Sequence, residues 1–167
     1  MSSVSSSGLT NPPDMAPWHP RVRRLYGYWL KIHPPGGGLP GRRHLDPVAI
    51  PDLLPGIWLL DVARAPFRLR YRLVGTGIVE AIGREVTGAW LDEAHPHVAQ
   101  DLGYFERYRA VVETGAPSWR KGKPQLWRHR DFELIENLLL PLAKDGRTVD
   151  MLCAFSVLYR QDGSVAF

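Results

Sequence analysis

A single cysteine, Cys153, stands among the 167 residues. One thiol cannot make an intrachain disulfide or a thiolate metal cage, so a disulfide-stapled or zinc-ribbon fold is excluded. Long apolar runs are missing as well. "LLLPLA" is interrupted by Pro141, and nothing else in the chain approaches the roughly 20 residues that span a bilayer. The opening stretch "MSSVSSSGLTNPPDMAP" has neither the charged start nor the apolar core of a secretory leader. Charge is nearly balanced: 21 Lys and Arg against 17 Asp and Glu give +4, which permits an anionic polymer as partner without demanding one. Together these absences point to a soluble cytoplasmic protein, although a cysteine-poor periplasmic one has the same composition.

The chain does have enough apolar residues for a core, 44% of the total. Residues 1–17 read as a disordered tail, 18–45 as a helix with a Pro/Gly connector, 46–160 as one α+β domain, and 161–167 as a C-terminal tail. In the helix, Val22, Leu25, Tyr26, Trp29 and Ile32 recur at three- and four-residue spacing, and "HPPGGGLPG" ends it. In "DPVAIPDLLPG", Asp46 is a natural N-cap for short helical turns, with Pro47 in the first. The period then changes to two. Strands are predicted near 57–63, 67–75, 117–127, 132–142 and 148–159, with the turn "KDGR" joining the last two. In "FRLRYRLVG", Phe67, Leu69, Tyr71 and Leu73 alternate with Arg68, Arg70 and Arg72, so one face is core and the other basic. Between strand groups lie short helical pieces and a longer helix from His97 to Thr114, closed by Gly115.

"VGTGIVEAIG" begins as a nucleotide-binding turn does. The dinucleotide fingerprint needs a third glycine where this chain has Glu80, and a carboxylate there would repel a pyrophosphate. Gly122-Lys123 is followed by Pro124, so a phosphate loop is absent too. Gly75 and Gly77 therefore read as a sharp strand-to-helix corner.

The stretches "FRLRYRLVGTGIVEAIGREVTGAWLDE" and "LLLPLAKDGRTVDMLCAFSVL" resemble the PAS sensory-domain superfamily over about residues 57–159. More narrowly, they are similar to a bacterial variant with an N-terminal helix and often no attached output domain. The resemblance implies a five-stranded antiparallel sheet of order 2-1-5-4-3, with helices over one face. It implies a non-catalytic sensory module that binds a small molecule or a protein partner. The pocket would lie between helices and sheet, lined by Tyr104, Tyr108, Trp119, Glu136 or Asn137, and Phe155.

No cofactor is named by these residues. Flavin photosensors of the fold carry a cysteine in the short central helices, whereas Cys153 lies mid-strand and reads as a small buried hydrophobe. A haem would need an axial histidine, for which His97 is the candidate, with His95 and His129 nearby; the plainer reading is that His95-Pro96-His97 caps a helix at the surface. His95 and His97 with Asp92 are too sparse a set for a metal. Ser118, Ser156 and Ser164 have no nucleophile-elbow setting. Glu136 and Asn137 are the odd polar pair of "ELIENLLLPL". Glu136 reads either as an ion-pair partner of Arg72 or Arg128, or as a site carboxylate.

Two other functions stay open. One is a small isomerase or hydratase, which needs Glu136 buried, unpaired and facing the cavity. The other is a nucleic-acid binder using "SWRKGKPQLWRHRD", where Trp119 and Trp127 sit among cations; an edge strand guarded by Lys and Pro explains that stretch more simply. For partners, the stripe of Leu25, Tyr26 and Trp29 predicts a homodimer through the N-terminal helix, a regulatory protein is the expected second partner, and no membrane is implied.

Overall fold

The computed structural model describes residues 13–101, 103–126 and 132–166. The first helix, α1 (Pro20–Lys31), is followed by the connector and by short 3-10 turns, Pro47–Ala49 and Pro51–Gly56. The Asp46 carboxylate accepts the Val48 amide at 3.0 Å, as an N-cap should. Strands β1 (Ile57–Arg64) and β2 (Phe67–Val74) come next, then α2 (Thr76–Ile82), α3 (Leu91–Ala94), α4 (Pro96–Ala99) and α5 (Glu106–Thr114). Strands β3 (Ser118–Gly122), β4 (Phe132–Leu142) and β5 (Met151–Arg160) complete one antiparallel sheet in the order β2-β1-β5-β4-β3. This is the predicted order, with the first and last strands adjacent.

Both faces of the sheet are covered, because β4 and β5 are apolar on both sides. On the inner face, Trp58, Leu60, Leu69, Tyr71, Leu139 and Leu158 pack beneath α2–α5. On the outer face, Leu59, Leu138, Leu140, Cys153, Phe155 and Val157 receive Val22, Leu25, Tyr26 and Trp29 of α1. The Trp29 indole N–H donates to the Pro141 carbonyl at 3.1 Å, so the helix is placed by a polar contact as well as by apolar burial. The stripe that predicted self-association thus lies on the chain's own sheet.

Several expectations are corrected by local chemistry. The helix of 97–114 is two helices. The Asp101 side chain accepts the Gly103 amide at 3.0 Å, and this turn competes with helical hydrogen bonding between α4 and α5. Strand β3 stops at Gly122, where Arg120 donates to the Lys123 carbonyl at 2.7 Å and Pro124 cannot donate to a ladder. Strand β5 starts at Met151 because Asp145 holds the amides of Arg147 and Thr148 at 2.8 and 2.7 Å, prolonging the turn. Leu73 is 40% exposed. A bulge sets Leu60 opposite Tyr71 and Leu59 opposite Leu73, so Arg72 is the extra residue and Leu73 leaves the inner face.

The connector is not a loose tether. Leu39 donates to the Gly146 carbonyl at 2.8 Å, and Ala143 donates to the Pro40 carbonyl at 2.9 Å. Gly38 sits at φ 87°, with a Cβ there only 2.8 Å from the Gly146 oxygen, so no other residue fits. Of the expected disordered tail, residues 1–12 lie outside the described residues, while Met15 packs against the α1 face of the sheet.

Candidate functional site

At the strand-to-helix corner the backbone of Gly75 is committed to the fold. The Gly75 amide is spent on the Ile57 carbonyl at 2.7 Å, and its carbonyl accepts the Ile78 and Val79 amides that open α2. A Cβ at Gly75 would stand 2.6 Å from the Pro55 oxygen and 2.7 Å from the Ile57 oxygen. Glycine is present because two segments of backbone cross there.

The polar side chains converge elsewhere, on the inner face near the β3 edge. Asn137 is a buried polar residue set between Ile135 and Leu139 on that face of β4. It faces Ser156 across the β4–β5 ladder and Arg120 across the β3–β4 ladder. Its amide donates to the Ser156 hydroxyl at 3.1 Å and to the Phe155 carbonyl at 3.2 Å. The same hydroxyl accepts the Trp58 indole N–H at 3.0 Å. Arg107, in the first turn of α5, reaches across to the sheet. Its guanidinium donates to the Asn137 side-chain oxygen (2.6 Å), the Asn137 carbonyl (3.0 Å), the Ser118 hydroxyl (2.8 Å) and the Ser118 carbonyl (2.8 Å). A buried polar network of this kind fixes one arrangement of helix and sheet.

Beside the network is a small cavity, about 20 Å³ open to the centres of water molecules, lined by Trp58, Tyr104, Arg107, Tyr108, Arg120 and Asn137, with Gln125, Leu126 and Ile135. The Tyr104 and Tyr108 hydroxyls are 2.7 Å apart, and burial pushes both phenols above the ordinary tyrosine range, so both stay protonated. Burial also pulls the Arg107 guanidinium below its ordinary value, with Arg120 adding to the effect. A space of this size holds a water or a small polar group, far short of a haem or flavin.

Of the residues expected to line a pocket, Tyr104, Tyr108 and Asn137 come together here. Trp119, Glu136 and Phe155 do not, because strand neighbours alternate faces and these three project to the α1 side. Trp119 stacks on Trp18 at 5.6 Å, which takes one ring face away from any nucleobase. Trp127, Arg128, His129 and Arg130 of the same stretch lie outside the described residues. Phe155 pairs in register with Ile57 and Leu138, both on that outer face.

Glu136 is neither an ion-pair partner of Arg72 nor a cavity carboxylate. Arg72 instead lies 4.0 Å from Asp61. Both Glu136 oxygens accept the His19 amide, at 3.0 and 2.9 Å, just before α1 begins. A carboxylate suits the positive end of a helix. Burial raises its pKa, and the His19 amide and Lys121 offset only part of that rise. The condition set for a carboxylate enzyme, Glu136 facing the cavity, is not met.

Two residues escaped the sequence reading. Nothing in the sequence sets Arg107 apart from the other arginines, and only Asn137 in an apolar strand hints at a buried partner. His95, expected at the surface, is 5% exposed, with its Nε2 2.8 Å from the Tyr71 hydroxyl. Burial, then His97 and Arg84, lowers its pKa to about 4. His97 lies outside the cavity lining, with its Nε2 2.8 Å from the Gln125 carbonyl.

No curated protein matches the chain. Among solved structures it is similar to a crystal structure of a sensory box sensor histidine kinase from Vibrio cholerae, at 18% identity and a TM-score of 0.44, over 66% of this chain and 87% of that one. No helix among the described residues is long and apolar enough to cross a membrane. The comparison with protein families matches residues 18–155 to the PAS domain, a span that takes in α1 and ends inside β5. With that match over most of its length, the chain belongs to the PAS domain family of sensory and signalling modules.

Proposed function

We propose that this protein is a non-catalytic sensory module of the cytoplasm, which binds a small molecule in the cavity beside Asn137 and reports it to a regulatory protein partner. One observation carries the reading: Arg107, Asn137, Tyr104 and Tyr108 converge on a cavity inside an otherwise apolar layer, the usual form of a ligand site. The same strand offers a route outward. Asn137 meets the cavity and its neighbour Glu136 holds the start of α1, so a shift of β4 on the cavity side is felt by the helix on the far side.

Hydrogen exchange across the whole chain tests this while a panel of neutral, cationic and anionic metabolites is added. A ligand of the cavity is expected to protect α5 and β3 and to change exchange at the first turn of α1. If no compound of any charge alters exchange at α5 or β3, the sensory reading fails for this cavity.

A further inference from the structure

The groups around the cavity are out of balance in donors and in charge. Arg107 has five N–H bonds. Four are taken by neutral oxygens of Ser118 and Asn137, and the remaining one, on Nη1, has no acceptor among the described residues. A second guanidinium, Arg120, lines the same cavity, and among the described residues it donates only to the Lys123 carbonyl. Among the described residues no carboxylate lies within ion-pair distance of either arginine; the ion pairs present involve Arg24, Arg68, Arg70 and Arg72. The two hydroxyls of Tyr104 and Tyr108 satisfy each other with one hydrogen, which leaves the other hydrogen to donate. The Gln125 carbonyl already accepts one hydrogen bond, from His97 Nε2 at 2.8 Å.

Bracing α5 to the sheet explains Arg107 by itself. It does not explain a second cation on the same cavity, since two guanidiniums sharing a partly buried space repel, and buried charges are ordinarily paired. What restores the balance is an anion that accepts several hydrogen bonds. A carboxylate suits the planar fork of a guanidinium, and its small size suits a space that holds a water or a small polar group.

We infer that the cavity between α5, β3 and β4 receives the carboxylate head of a small organic acid, held by Arg107 and Arg120 with a tyrosine hydroxyl as third donor. This rests on the sensory reading and adds the class of ligand. The Arg107 network is thereby a prebuilt frame, needing little rearrangement when the ligand arrives.

Side-chain NMR of the full chain tests it, following Arg107 Nε–H and the Asn137 amide at constant ionic strength. The probes are sodium acetate, its neutral isostere acetamide, ethylammonium, inorganic phosphate and chloride. Acetate is expected to shift both resonances saturably in the millimolar range, with acetamide and chloride ineffective. Arg120→Gln, which leaves the Arg107 brace in place, is expected to weaken acetate at least about tenfold without lowering the melting temperature. Equal, non-saturating shifts with acetate and chloride would reduce the arginines to a structural brace. Saturable binding of acetamide or ethylammonium in place of acetate overturns the anion while leaving the sensory reading intact. Preference for phosphate overturns the carboxylate, and undiminished acetate binding by Arg120→Gln removes the second cation from the site. If no probe and no metabolite of the wider panel binds, both readings fall together.

Discussion

His95 shows how a single buried group ties stability to pH. Its ring is buried against Tyr71, with His97 and Arg84 nearby. A pKa lowered to about 4 from 6.5 means the folded state binds its proton less readily than the unfolded chain does. The stability from the neutral ring is therefore complete above pH 6.5 and is lost as pH falls through that value toward about 4. The full drop corresponds to roughly 3 kcal/mol. Urea unfolding at pH 7 and at pH 4.5 should show most of that difference. His95→Gln keeps a polar partner for the Tyr71 hydroxyl but cannot titrate, so it should flatten the profile in this window. An unchanged profile would mean that another group controls acid stability. Glu136 has the opposite sign. Its raised pKa favours the protonated folded form, a contribution present at acid pH and lost as pH rises through the folded value, so it cannot mimic the His95 effect.

Elements depend on such residues at their junctions. Gly75 lets the end of β2 pass the carbonyls of Pro55 and Ile57 on its way into α2. Its φ of −63° is ordinary, so the requirement is space rather than backbone freedom. Gly75→Ala should cost about 3 kcal/mol, since backbone on both sides must move, and chemical denaturation reads it directly. A loss under about 1 kcal/mol would show that the crossing has room for a methyl group. The strands themselves were legible, because alternation of side chains and the "KDGR" turn declare them locally. The helical middle was less so. Val98, Phe105, Tyr108 and Val112 keep a helical spacing straight through the Asp101–Gly103 turn, and periodicity does not register a side chain capturing a backbone amide. Leu73 was misplaced for a related reason, since alternation assumes no bulge and Arg72 supplies one. The site was half legible. Asn137 and the two tyrosines stood out by type and position, but which of the neighbours 136 and 137 faces inward depends on register. Arg107 becomes visible only once α5 is laid on the sheet.

At the scale of the whole molecule, the sheet is a wall with two finished sides, and α1 finishes one of them. Val22 and Leu25 are fully buried on it, Tyr26 and Trp29 nearly so, and the connector is hydrogen-bonded back to the β4–β5 hairpin. Burial of three large side chains there is worth roughly 5 kcal/mol, enough to keep the helix docked most of the time. Homodimerisation through the apolar stripe of α1 then requires two copies to exchange the helix, each stripe meeting the partner's sheet with the same contacts. The two arrangements respond oppositely to the same change. Leu25→Ser with Trp29→Ser, in a helix docked on its own sheet, uncovers Leu138, Leu140, Phe155 and Val157, a contiguous apolar surface that drives association. The sedimentation coefficient of the variant should therefore rise with protein concentration at tens of micromolar, while wild type stays constant and far-UV circular dichroism keeps its strand signal. In an exchanged dimer, the same substitutions remove the contact between copies, and a dimeric wild type would give way to a lighter variant. With the connector held along its own hairpin through Leu39 and Ala143, the first outcome is the one expected. A lighter variant would assign α1 to the neighbouring copy and make the helix, with Glu136 at its base, the dimer contact through which a ligand beside Asn137 reaches the second subunit.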